Sequence, residues 1–119
     1  MDTDTYGLKF PSCVTGIVLP NGMTTISKSG FDDYTHLQTI IIPEGVTTIV
    51  SYAFSNCTSL TSVIIPEGVT TIGNYAFYQC TSLATINYTG TEEQWKAIST
   101  GSYWYYGTSF NVIYNYKPE

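Results

Sequence analysis

Only four basic residues and one histidine occur in this 119-residue chain, which is therefore poor in the side chains on which most chemistry depends. Charged residues make up 11 % of the sequence, against about a quarter in a typical soluble domain. With a net charge of −5, no phosphate-tracking basic stripe can be assembled. Nucleic acid and acidic membrane surfaces are thereby excluded as electrostatic partners. No apolar run reaches the roughly 18 residues that a membrane span requires, so membrane insertion is not expected. The opening Met1-Asp2-Thr3-Asp4-Thr5 is acidic and lacks a signal-peptide core. If the protein is exported, its signal is absent from this chain; residence in the cytosol is the alternative.

The three cysteines are an odd number, with no C-x-x-C and no histidine at ligand spacing, so no metal site is expected. Asp2, Asp4, Asp32 and Asp33 do not follow the calcium-loop pattern. Nucleophile elbows and phosphate loops are missing too, and His36 precedes an apolar position at what reads as a solvent edge. No catalytic residue and no cofactor is expected: the chain does not read as an enzyme.

What it has is repetition. Ile41-Ile42-Pro43-Glu44-Gly45-Val46-Thr47-Thr48-Ile49 returns as Ile64-Ile65-Pro66-Glu67-Gly68-Val69-Thr70-Thr71-Ile72. Tyr52-Ala53-Phe54 returns as Tyr75-Ala76-Phe77, and Cys57-Thr58-Ser59-Leu60 as Cys80-Thr81-Ser82-Leu83. The offset is constant (66 − 43 = 23, 80 − 57 = 23), and 16 of 23 aligned positions are identical. A worn copy precedes these two, with Ile17, Leu19-Pro20, Thr24-Thr25-Ile26, Phe31 and Leu37 each 23 residues before its counterpart. A fixed period in the twenties is the mark of a solenoid. Glu44 and Glu67 also recur at this spacing, which explains them better than a paired-carboxylate site does.

The pattern Leu-x-x-Val/Ile-x-Ile-Pro-x-x-Val-x-x-Ile, followed by Ala-Phe-x-x-Cys-x-x-Leu, resembles the BspA-type (Treponema-type) leucine-rich repeat over about Ile17 to Ile86. Tyr88-Thr89-Gly90-Thr91-Glu92-Glu93-Gln94-Trp95-Lys96-Ala97-Ile98 is similar to the segment that often closes such arrays. The resemblance implies a bacterial cell-surface or secreted module whose usual activity is adhesion. A host or bacterial surface protein would be its partner.

Each repeat can be divided by side-chain period. Leu60-x-x-Val63-x-Ile65 reads as a strand with those three residues inward and Ser62 and Ile64 outward. Pro66 ends it, Glu67-Gly68 turns the chain, and Val69–Ile72 forms a second strand across the coil. Ala76-Phe77 begins a tight turn or one-turn helix, and Phe31, Phe54 and Phe77 form one core column. Cys57 and Cys80 share a slot: they form a ladder of buried thiols or, since rungs lie roughly 5 Å apart, a disulfide. The expected fold is a β-rich, right-handed leucine-rich-repeat solenoid with short parallel sheets and 3₁₀ or short-helix turns. Residues 1–16 form an N-terminal tail and degenerate half-repeat in which Leu8 and Val14 join the stack. Residues 17–86 form three repeats. Residues 87–119 form a C-terminal cap of helix 91–98 (opened by a Thr91/Gln94 capping box and plugged by Trp95), an aromatic loop and a final strand.

Two surfaces are candidates for recognition. On the concave sheet, Val18, Ile41 and Ile64 would form an outward β-branched stripe beside Thr39 and Ser62, continued by Thr85 and Asn87. β-propensity alone accounts for such a stripe equally well. In the cap, Tyr103, Trp104, Tyr105, Tyr106 and Phe110 place five aromatics in a short loop, where protein partners or sugar rings could stack, although Trp104 and some tyrosines would pack inward. The reading that follows is a non-enzymatic recognition module binding a protein through the sheet. Carbohydrate binding through loop 103–110, or a structural spacer within a longer array, are the alternatives.

Overall fold

In the computed structural model, residues 15–28 and 30–117 are described; the expected half-repeat with Leu8 and Val14 lies outside them. The chain winds into a solenoid of parallel strands. Odd-numbered strands β1 (Gly16–Val18), β3 (Thr39–Ile41), β5 (Ser62–Ile65), β7 (Thr85–Tyr88) and β9 (Asn111–Ile113) form one five-stranded sheet in chain order. Two-residue strands β2 (Thr25–Ile26), β4 (Thr48–Ile49), β6 (Thr71–Ile72) and β8 (Ser99–Thr100) form the second sheet. Registers Ile17↔Ile40, Ile40↔Val63 and Val63↔Ile86 are those the 23-residue period demands.

A third ladder joins the turns on the remaining side. The N–H groups of Tyr52, Phe54 and Asn56 donate to the carbonyls of Asn74, Ala76 and Tyr78 (3.0, 2.8 and 2.7 Å). Those of Tyr75, Phe77 and Gln79 donate likewise to Ser102, Trp104 and Tyr106 (3.1, 2.7 and 2.8 Å). Every second residue donates, and this segment is a chain of hydrogen-bonded turns rather than a helix. To hold this path Tyr52, Tyr75 and Tyr103 take φ of 62°, 58° and 54°, and Asp33, Asn56 and Gln79 take 63°, 60° and 58°. Left-handed backbone costs a non-glycine residue roughly 1–2 kcal/mol, so each coil accepts strain at matched positions. Gly107, at φ 78°, fills the slot after Gln79 without that cost.

The interior is a set of columns. Phe31, Phe54 and Phe77 are fully buried and stacked at 5.3 and 5.2 Å with ring planes within 10°. Leu37, Leu60 and Leu83 are buried, as are Ile26, Ile49 and Ile72. Cys57 and Cys80 are free, fully buried thiols. The Sγ of Cys57 donates to the carbonyl of Phe31 (3.2 Å), and that of Cys80 to the carbonyl of Phe54 (3.1 Å). The neighbouring Cys80 thiol, then burial, hold the Cys57 thiol above its ordinary range. Among the described residues, the Tyr88 hydroxyl, one rung beyond Ile65, is the one buried side-chain polar atom without a hydrogen-bond partner.

The sequence period stops at Ile86, yet the coil does not. Residues 85–113 form a fourth turn that adds β8 to β6 and β9 to β7. Helix α1 (Glu92–Lys96) stands in the corner that Pro66-Glu67-Gly68 occupies one coil earlier. Its Thr91 Oγ1 accepts from the N–H of Gln94 (3.1 Å), while the N–H of Thr91 donates to Gln94 Oε1 (2.8 Å), completing the capping box. Trp95 is half-buried and edge-on to both Tyr88 and Trp104, so its ring bridges two sides of this coil.

Two stability tests follow from these columns. Phe54→Ala should lower unfolding free energy in urea by about 3–5 kcal/mol, a large share of what so small a domain holds. A midpoint near wild type would show that the column carries little. The raised Cys57 pKa keeps its stabilising effect below the unfolded thiol value of about 8.5 and loses it as pH rises beyond. The urea midpoint should therefore fall between pH 7.5 and 9.5, and Cys57→Ser should flatten that fall. Rapid labelling of Cys57 or Cys80 in the native protein, located by peptide mapping, would contradict the burial.

Candidate functional site

Side-chain alternation along the odd strands builds the first candidate surface. Thr39 and Ile41 are exposed on β3, Ser62 and Ile64 are half-exposed on β5, and Thr85 and Asn87 on β7. All six share the outer face with their partners in register, Ile41↔Ile64↔Asn87 and Thr39↔Ser62↔Thr85. Val18 pairs with Ile41 in the backbone ladder. Strand β9 extends both rows with Asn111 and Ile113, two positions that the sequence reading had not assigned to this face. Ile41 and Ile113 are 46 % and 48 % exposed, far more than the inward isoleucines. Asn87 interrupts the apolar row between Ile64 and Ile113.

The aromatic loop is the third side of the fourth coil. Ser102, Trp104 and Tyr106 accept from coil three at the places where Asn74, Ala76 and Tyr78 accept from coil two, an offset of 28 residues (102 − 74 = 28, 106 − 78 = 28). Tyr103 stacks on Tyr75 (5.7 Å) and Tyr106 on Tyr78 (5.8 Å). Thr108 replaces the cysteine of the column: its hydroxyl donates to the Phe77 carbonyl (2.7 Å) and accepts from the Cys80 N–H (3.1 Å). Trp104 turns inward, edge-on to Phe77 at 6.2 Å and close to Phe110 at 5.7 Å. Trp104 and Phe110 are thus half-buried packing residues, whereas Tyr103, Tyr105 and Tyr106 face solvent. Tyr75 and Tyr78, from the preceding repeat, belong to the same ring cluster; the identical spacing of Tyr52 and Tyr75 was the signal for the Tyr52–Tyr75 stack at 5.1 Å.

Charge contributes little at either surface. The exposed Lys96–Glu92 pair on α1, 3.1 Å apart, raises the Lys96 pKa through that contact and sits on neither face. His36, Glu44 and Glu67 are exposed. Among the described residues no group of three or more His, Cys, Asp or Glu side chains could hold a metal ion, and no helix is long and apolar enough to cross a membrane.

Comparison with known proteins agrees with this geometry. The family model described as the BspA type leucine-rich repeat region matches residues 8–115 in six copies. The chain is similar to a leucine-rich repeat protein of T. pallidum, with 25 % identity and a TM-score of 0.69, over 82 % of this chain and 44 % of that one. It is also similar to a leucine-rich cell surface protein of Faecalibacterium prausnitzii, with 27 % identity and a TM-score of 0.50, over 76 % and 37 %. The chain thus spans less than half the length of either. No curated protein matches it.

If Thr108 completes the column, Thr108→Val should destabilise the protein by about 1–3 kcal/mol, because the Cys80 N–H and Phe77 carbonyl both lose a partner. Thr108→Ser should cost clearly less in the same urea titration. Equal losses would place the effect in the methyl group instead.

Proposed function

The chain belongs to the BspA-type leucine-rich repeat family, and we propose that it is a non-enzymatic recognition module of a bacterial cell-surface or secreted protein, binding a protein partner through the outer face of its five-stranded sheet. The observation carrying this reading is the row of exposed Ile41 and half-exposed Ile64, continued by exposed Ile113 beyond Asn87, on a face with no charged side chain in its strands. Apolar area with little charge is what the centre of an interface requires. Alternation alone would put polar residues outward, and although β-branched residues also favour strands, their apolar surface here stays open to a partner. The leucine-rich neighbour from F. prausnitzii, described as a cell surface protein, supports the location.

A second reading is carbohydrate capture at the aromatic loop. It is favoured by a separate observation, the exposure of Tyr103, Tyr105 and Tyr106 at the last coil.

The sheet reading is tested by capture of the domain on a panel of extracellular-matrix and bacterial surface proteins. Ile41→Asp combined with Ile64→Asp should weaken the captured partner at least tenfold, about 1.4 kcal/mol, while the thermal melt stays cooperative. Unchanged capture by the double variant would remove the sheet from the reading. Silence from a folded wild type on this panel would leave carbohydrate capture or a structural spacer.

A further inference from the structure

The exposed tyrosines are arranged in two columns. Tyr52, Tyr75 and Tyr103 stack face to face at 5.1 and 5.7 Å, and Tyr78 and Tyr106 at 5.8 Å. Between columns the rings meet edge-on, Tyr75 to Tyr78 at 5.2 Å and Tyr103 to Tyr106 at 5.7 Å, with planes at 83° and 90°. Stacking covers the ring faces inside each column. Tyr75 is stacked on both faces, whereas Tyr103 and Tyr106 each stack on one ring and are 61 % and 55 % exposed.

Those two rings are shared by two clefts. One, of about 340 Å³, is lined by Tyr75, Tyr78, Tyr103 and Tyr106. The other, of about 490 Å³, is lined by Gly101 and residues 103–108. No acidic or basic side chain lines either. The backbone adds donors. In coils two and three the N–H groups corresponding to those of Tyr103, Tyr105 and Gly107 donate to the next coil, but here no carbonyl among the described residues accepts from these three. By the register they point away from coil three, and all three residues line the second cleft.

We propose that Tyr103 and Tyr106, backed by Tyr75 and Tyr78, form a binding site for neutral pyranose-bearing oligosaccharides. This rests on the carbohydrate reading and specifies its residues and ligand class. A pyranose presents an apolar C–H face that suits an open tyrosine ring, and hydroxyls that can accept from free N–H groups and exchange hydrogen bonds with phenols. The lining holds no basic side chain to pair with sialic or sulfated sugars. An extended peptide could take the three N–H groups, but the clefts offer ring faces and hydroxyls rather than apolar holes for its side chains. Trp104 is not the anchor: its ring is committed to Phe77, Trp95 and Phe110.

The test is a glycan array carrying neutral oligosaccharides ending in glucose, galactose, mannose or N-acetylglucosamine beside acidic ones, followed by titration of the best neutral hit. Wild type and Ile41→Asp/Ile64→Asp should bind alike, Tyr103→Ala and Tyr106→Ala at least tenfold more weakly, and Tyr106→Phe within a few fold. Thermal melts confirm that each variant is folded. Should Tyr103→Ala unfold, Tyr106→Ala and Tyr106→Phe still decide. A neutral glycan that binds both alanine variants as it binds wild type overturns the tyrosine site but leaves the carbohydrate reading standing. Silence across the array from folded wild type overturns both. Binding confined to acidic glycans overturns the ligand class.

Discussion

The rise from one coil to the next, set by hydrogen bonds between strands roughly 5 Å apart, is the constraint on which everything else in this protein depends. At that spacing an aromatic ring fits on its counterpart only if the planes are nearly parallel, and the phenylalanine column obeys with interplanar angles of 7° and 10°. Each inward position must therefore repeat a residue of similar shape, or the columns open into cavities. The buried positions of the two best-kept copies obey this, with Ile42, Val46, Ile49, Ala53, Phe54, Cys57 and Leu60 each returning unchanged 23 residues later. It also explains the low charge, since a repeated charge would stack on itself at every rung. Glu44 and Glu67 escape that penalty because both are solvent-exposed at the corner.

Three parallel ladders close each coil, and the third forces tyrosine into left-handed backbone at Tyr52, Tyr75 and Tyr103. Strained residues often signal function, but strain repeated at one position in successive coils belongs to the architecture. Its consequence is directional. The turn projects these tyrosines outward, where they stack on one another instead of joining the core, and aromatic pairs worth about 0.5–1.5 kcal/mol offset part of the strain. A core-building device has thus placed a row of phenols on the surface.

Period and alternation made most of this legible from residues alone. Between Ile17 and Ile86 they separate inward Leu60, Val63 and Ile65 from outward Ser62 and Ile64, and the Thr91/Gln94 box is where its four-residue signature puts it. The fourth coil was not legible. Five residues inserted with α1 change the offset from 23 to 28, Trp104 stands for Ala76, and Thr108 for Cys80. Threonine and cysteine look unrelated in sequence, yet each places one donor on a short stem against the carbonyl below it. Because β9 did not read as a rung, Ile113 was missed on the sheet face. The five aromatics of the loop were visible, but the division between packed Trp104 and exposed Tyr103 depends on the register, which composition does not carry.

In a stack of this kind, interior rungs spend their surfaces on one another. Tyr75 is covered on both faces by Tyr52 and Tyr103 and is only half-exposed, while the terminal Tyr103 is open. The same gradient applies to the backbone: Phe77 and Gln79 donate to the next coil, whereas Tyr105 and Gly107 find no acceptor among the described residues. Open ring faces and unmatched donors therefore occur together on the fourth coil, without any residue having to break the repeat. The sheet face behaves differently. Its outward rows run along the stacking direction but face solvent side-on, so adding a coil does not cover them: Ile41 is 46 % exposed and Ile113 48 %. A repeat protein built on these rules has two kinds of surface, one that grows with every coil and one that exists only where the coils stop. A further coil stacked on such a face would enlarge the first and bury the second, so the two surfaces respond oppositely to array length.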